Sequence, residues 1–129
     1  MFGRSSGQGP RLFARSDTGG ATWAANWSAT DLPDPYCEAS IVASEDRSSL
    51  YFGNPSNAAH RGNFSVHRST NGGVTWPASE ILYPGPAAYS DMSLTRDAKL
   101  GFLFERDNYR YVSFGAVPLG SIHDVVPSR

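Results

Sequence analysis

The sequence contains a single cysteine, Cys37, in 129 residues. A lone thiol excludes an internal disulfide framework and a cysteine-based zinc site, and gives no positive sign of an oxidising compartment. Charge of one sign is also lacking. The formal net charge is −1, so there is no electrostatic case for nucleic acid or an acidic membrane surface as a partner. No apolar run approaches the ~20 residues of a membrane-spanning helix. After Met1 and Phe2 come Gly3, Arg4, Ser5 and Ser6 rather than an apolar core, so no secretory leader is expected at that end. No useful window keeps helical periodicity. His60, His67 and His123 lack metal-ligand spacing, and neither metal nor cofactor is expected.

What is present is turn-forming and aromatic: 13 glycines, 9 prolines and 12% aromatic residues, a composition that favours β-structure over helices. Two phrases stand out. Ser16-Asp17-Thr18-Gly19-Gly20-Ala21-Thr22-Trp23 and Ser69-Thr70-Asn71-Gly72-Gly73-Val74-Thr75-Trp76 share Ser, Gly, Gly, Thr and Trp at the same offsets, with the serines 69 − 16 = 53 residues apart. Repetition at such a period suggests stacked β-units such as propeller blades. Within each phrase, Thr18 or Asn71 can fold a short polar side chain back onto the backbone. The glycine pair supplies positive φ, and the tryptophan is large enough to anchor the loop between sheets. One such phrase alone would equally suit an ordinary hairpin turn.

Taken in order, residues 3–10 read as a Gly/Ser/Pro loop, 11–16 as a strand entering the first phrase, 24–30 as a short outer strand and 31–35 as a proline-punctuated link. Strands are expected at 39–44, 49–53 and 63–69, with a turn at 45–47 and a longer loop at 54–60. After the second phrase come a strand at 80–83, a Pro-Gly-Pro link at 84–86, and strands at 89–94, 101–105 and 111–116. Turns are expected at Arg96-Asp97 and Asp107-Asn108. The tail at 118–129 has weak pattern and is a candidate for disorder. The expected fold is all-β: two to three antiparallel blades spanning residues 1–117, part of a larger propeller.

The two phrases resemble the Asp box, Ser-x-Asp-x-Gly-x-Thr-Trp, of sialidases, with Thr18 and Asn71 standing at the aspartate position. Further along, Asn54-Pro55, Arg61-Gly62-Asn63 and Pro84-Gly85-Pro86 recur in the order of an exo-α-sialidase. Tyr89-Ser90 and Phe102-Leu103-Phe104-Glu105 continue that order, which is most similar to the animal lysosomal type. The resemblance covers nearly the whole chain but only the second half of the enzyme. It implies a partial six-bladed β-propeller with Asp-box turns, a sialylated glycan as substrate, and hydrolysis of terminal α-linked sialic acid with retention. The compartment is unknown; a lysosomal or other endomembrane location would follow from the resemblance alone.

The same resemblance implies site residues. Arg11, five residues before Ser16, and Arg61, after the Asn-Pro loop, are implied to grip the sugar carboxylate. Guanidinium forks suit a planar anion and stay charged at any working pH. Arg4 is a rival to Arg11, and the plain alternative for each arginine is a solvated surface side chain. Tyr89 matches the nucleophile. Attack beside the substrate's own carboxylate favours a neutral phenol, which then needs a base. Glu105 is implied to orient an arginine that this chain does not supply. Glu38, beside Cys37, lies where some relatives place a polar residue near the sugar, and His60 could line the pocket. Cys37 reads as a small buried hydrophobe.

The resemblance places the first arginine, the acid/base aspartate and the activating glutamate upstream of the matched segment. The chain alone is therefore expected to be inactive, and its open strand edges to favour self-association or pairing with the missing half of the propeller. The alternatives are a non-catalytic Asp-box module binding sialic acid or a protein, and a small independent β-sandwich.

Overall fold

The computed structural model describes residues 9–123. Eight strands follow one another: β1 (Gly9–Phe13), β2 (Trp27–Asp34), β3 (Ser40–Ala43), β4 (Leu50–Pro55), β5 (Gly62–Ser69), β6 (Ala78–Leu94), β7 (Lys99–Arg106) and β8 (Tyr111–Pro118). A 3₁₀ turn, Leu119–Ser121, closes the described chain. Among the described residues no helix is long and apolar enough to cross a membrane.

Every pairing is antiparallel between sequence neighbours: β1 with β2, and β3 through β8 in order. The long β6 belongs to two units. Its first part, from Ala78 to Pro86, pairs with β5, and the part from Ala87 to Leu94 pairs with β7. The curled six-stranded sheet is thus a four-stranded blade (β3, β4, β5 and the start of β6) followed by three strands of the next (the end of β6, β7 and β8). β1 and β2 are the last two strands of the blade before.

Strand alternation sends neighbouring residues to opposite faces. On β4, Tyr51 joins Phe64, Val66, Met92, Leu100, Phe102 and Phe104 in the larger core, between the second and third blades. The adjacent Phe52 joins Phe13, Ala29, Leu32 and Trp76 in a smaller core against the first blade. Phe64 is fully buried and stacks on Phe104 with ring centres 4.9 Å apart; burying one such ring contributes about 2–3 kcal/mol.

The two repeated phrases fold alike. Ser16 Oγ accepts the Gly20 N–H at 2.8 Å, and Ser69 Oγ accepts the Gly73 N–H at 2.9 Å. Thr18 Oγ1 takes the Thr22 N–H at 2.9 Å and Asn71 Oδ1 the Thr75 N–H at 3.0 Å. A hydroxyl and an amide therefore both replace the carboxylate of the Asp box. Gly19, Gly20, Gly72 and Gly73 all have positive φ.

The structure corrects several expectations. Trp76 is 3% exposed and stacks on Phe13 at 5.7 Å, with its backbone N–H donated to Asp31 Oδ2 at 2.5 Å, whereas Trp23 is 52% exposed. The box tryptophan is anchored by the preceding blade, and among the described residues no blade precedes the first box. The expected link at 31–35 is strand up to Asp34, accommodated by a bulge between Pro10 and Arg11. Gly9 and Pro10 are strand rather than loop. The Pro84–Gly85–Pro86 link is extended chain within β6. Register shifts beside Phe64 break the ladder there, so the absent proline N–H groups cost little. After Pro118 the chain stays packed, with Ile122 1% exposed in the larger core and the His123 carbonyl accepting the Ser79 N–H. Residues 124–129 lie outside the described range.

Candidate active site

The switch of β6 from one blade to the next presents Ala87, Ala88 and Tyr89 at an open end of the sheet. Ala87 and Ala88 are buried, and Tyr89 is 50% exposed. Across from Tyr89, near the end of β7, stands Glu105, whose Oε2 accepts the Tyr89 N–H at 3.2 Å. The next amide, Ser90 N–H, donates to Glu38 Oε2 at 2.9 Å. Two carboxylates from distant segments thus fix the backbone around one phenol.

Arg61 immediately precedes β5, with its guanidinium carbon 5.4 Å from the centre of the Tyr89 ring. Nη1 donates to Tyr109 Oη at 2.9 Å and Nη2 to the Tyr36 carbonyl at 3.0 Å. Burial opposes the charge on Arg61, but the Tyr109 hydrogen bond and the nearby phenols raise its affinity for the proton overall. An open cleft of about 420 Å³ runs beside Tyr89 and Glu105, bounded by Glu38, Ser90, Leu103 and Val112. A smaller recess on the Arg61 side is lined by Pro86, Ala88, Glu105 and Tyr109. The large cleft carries Glu38, Asp91 and Glu105, so a ligand carboxylate is favoured at the Arg61 end and neutral hydroxyl groups at the other.

The structure therefore brings Arg61, Tyr89 and Glu105 together, with Glu38 beside them. Arg11 is placed differently. It is 3% exposed, ion-paired with the fully buried Asp34 at 2.5 Å, hydrogen-bonded to the Cys37 carbonyl at 2.6 Å, and its guanidinium carbon lies 5.4 Å from the Phe52 ring centre. It braces the segment that carries Tyr36 and Glu38 from beneath, since Asp34 also accepts the Cys37 N–H at 3.0 Å. Arg4 lies outside the described residues. His60 is exposed, and its Nε2 lies 3.4 Å from the Asn57 amide nitrogen. Cys37 is buried, which pushes its thiol up to about 11 despite the neighbouring Arg61 charge. Tyr36 and Tyr109, both on Arg61, belong to none of the recurring motifs. Their only sequence sign is that each follows proline- or Asp-Asn-marked turn residues.

The family model for the BNR repeat-like domain matches residues 1–102. The chain belongs to the BNR repeat-like domain family. Among curated proteins, this BNR chain is 32% identical over 127 residues to a sialidase of Micromonospora viridifaciens, covering 92% of the chain but 20% of that protein. Among solved structures, the Hadza microbial sialidase Hz136 superposes with a TM-score of 0.77 at 30% identity, over 90% of this chain and 24% of that one. The NanB sialidase of Streptococcus pneumoniae gives 0.79 at 14% identity, over 89% and 21%, a likeness of fold. The expected all-β part-propeller agrees with the fold of these neighbours. The BNR chain spans about a fifth to a quarter of the lengths of these relatives.

Proposed function

We propose that this BNR chain is the nucleophile-bearing part of an exo-α-sialidase that removes terminal α-linked sialic acids from glycans. The observation that carries this is the Arg61 guanidinium stacked over an exposed Tyr89, whose amide is held by Glu105, at the mouth of a cleft. Arg61 would grip the sugar carboxylate and hold the anomeric carbon over the phenol. Tyr89 Oη would then bond to that carbon while the glycosidic C–O bond breaks and the leaving oxygen takes a proton. Water would later displace the tyrosine, so that two inversions give retention; tyrosine-nucleophile sialidases are a known exception to the two-carboxylate scheme. Glu105 would fix Tyr89 through its amide and orient an arginine supplied from outside this chain. The acid/base group and the base for Tyr89 would likewise come from outside it, since the resemblance places both upstream of the matched segment. Arg11 is assigned no ligand contact. The finer likeness to the animal lysosomal type rests on the order of the motifs alone.

The test is binding and turnover by the 129-residue chain. N-acetylneuraminic acid should bind saturably and Arg61→Ala should abolish that binding, while a fluorogenic sialoside should not be turned over. Binding that survives Arg61→Ala would reject the assignment, and turnover lost in Tyr89→Phe would show that the chain carries a complete site.

A further inference from the structure

Among the described residues, two tyrosines have positive φ, Tyr36 at 61° and Tyr109 at 65°. Bulky side chains rarely adopt this left-handed conformation. Both touch Arg61: Tyr36 through its carbonyl on Nη2 and Tyr109 through its hydroxyl on Nη1. Strained backbone persists where surrounding structure over-determines it, and such sites concentrate at ligand clamps.

The surroundings of Tyr109 are over-determined. It ends a run of three left-handed residues, with Asp107 at 54° and Asn108 at 56°. The Asp107 N–H donates to the Pro86 carbonyl at 2.9 Å. The Asp107 carboxylate accepts hydrogen bonds from Tyr83 Oη and Arg106 Nη1. Arg106 is itself fixed by Ser113 Oγ at 2.7 Å and by the Tyr111 ring at 4.6 Å. Tyr83 reaches Asp107 by crossing Gly85, where any Cβ would come within 2.5 Å of its hydroxyl oxygen. Pro86, Tyr83 and Gly85 lie on the same strand as Tyr89, so the turn is tied to the strand that carries the phenol.

We propose that the Asp107–Tyr109 turn is a built clamp on Arg61, with Tyr109 as a positioning residue that holds the guanidinium fork for a ligand carboxylate. Two of the five guanidinium N–H donors go to the paired tyrosines, one from each Nη, and three are left for the ligand. A freely rotating arginine would have to be ordered at the moment of binding. This one is ordered beforehand, so recognition of the carboxylate costs less conformational entropy. The clamp itself is independent of any ligand, whereas its service to a sugar carboxylate rests on the sialidase assignment.

Tyr109→Phe separates the two, because the ring is 60% exposed and removal of its hydroxyl leaves the core untouched. The first measurement is guanidinium rotation at Arg61 in the unliganded chain, by nitrogen-15 NMR. It should be slow in the parent chain and several-fold faster in Tyr109→Phe, and equal rates would overturn the clamp. The second compares N-acetylneuraminic acid with its methyl ester. Tyr109→Phe should weaken the acid by about five- to tenfold and leave the ester unchanged. Equal weakening of both, or tighter binding of the acid, would overturn the positioning role. If the parent chain binds neither sugar, the sialidase assignment falls while the rotation rates still decide the clamp.

Discussion

Arg61 and Tyr89, 28 residues apart in sequence, meet face to ring with the guanidinium carbon 5.4 Å from the ring centre. A planar cation over a phenol is worth about 0.5–1 kcal/mol at an exposed site. Its larger consequence is geometric, because the same group that would take the ligand's carboxylate also sets where the phenol points.

Arg61→Lys keeps the charge and discards the fork. A lysine ammonium cannot reach Tyr36, Tyr109 and a carboxylate with one planar group. N-acetylneuraminic acid affinity should fall at least about tenfold in the variant, since one charge-assisted hydrogen bond is worth about 1.5–3 kcal/mol. Thermal unfolding should barely move, because Arg61 is only half-buried. Titration calorimetry beside a melting curve checks both halves; unchanged affinity would mean that charge alone is read.

The Arg11–Asp34 pair is a stability element. Both side chains are buried, and Asp34 holds the Cys37 amide as well as the guanidinium. Removing one member of such a pair leaves the other charge buried and unpaired, at a cost of about 3–5 kcal/mol. Asp34→Asn should therefore lower the urea midpoint severely. It should also expose Cys37, whose burial keeps its thiol up at about 11. Thiol labelling at neutral pH should be slow in the parent chain and fast in the variant. A variant that is destabilised without faster labelling would place the damage elsewhere.

The open flank of β8 makes a further expectation concrete. Among the described residues β8 pairs only with β7, and Val112 and Phe114 are 65% and 69% exposed. A strand edge beside an apolar face is a template for association. Size exclusion over a dilution series should show the chain self-associating, and Val112→Lys with Phe114→Lys should restore a monomer. A concentration-independent monomer in the parent chain would remove the expectation.

Much of the fold was legible because it depends on local chemistry. The Ser16 and Ser69 turns need only a short acceptor and glycines at fixed offsets, and those are visible as letters. Arg61, Tyr89 and Glu105 were singled out through the order of a family's motifs, and the structure sets them side by side; nothing local marks Tyr89 among six tyrosines. Arg11 shows the limit of spacing. Its offset from Ser16 found the strand but not the face. Arg11 shares that face with Phe13, two residues on, and both point inward, where the bulge at Pro10 lets Asp34 meet the guanidinium. Tyr109 was not legible, because its value lies in a left-handed turn whose anchors, Tyr83 and Pro86, come from another strand.

His67 ties stability to pH. It is 6% exposed on β5, with Nε2 3.2 Å from Ser56 Oγ. Burial holds its imidazole down at about 4 against an ordinary 6.5, with the Asp31 charge pulling only weakly the other way. Between those two values the unfolded chain binds the proton and the folded chain does not. The His67 contribution is therefore fully present above about pH 6.5, falls as the pH drops towards 4, and levels off below. The loss should reach up to about 3 kcal/mol across that window. Asp46 and Asp97, held down at about 2 against an ordinary 3.8, lose their stabilising contribution mainly below about pH 4, beneath the range from pH 7 to pH 5. The urea midpoint of the parent chain should drop between pH 7 and pH 5, and that drop should shrink in His67→Asn, which keeps a polar partner for Ser56. Equal drops in both chains would exonerate His67. A protein working in an acidic compartment would carry this histidine as a standing cost, so the comparison also weighs against the lysosomal likeness if the drop is large.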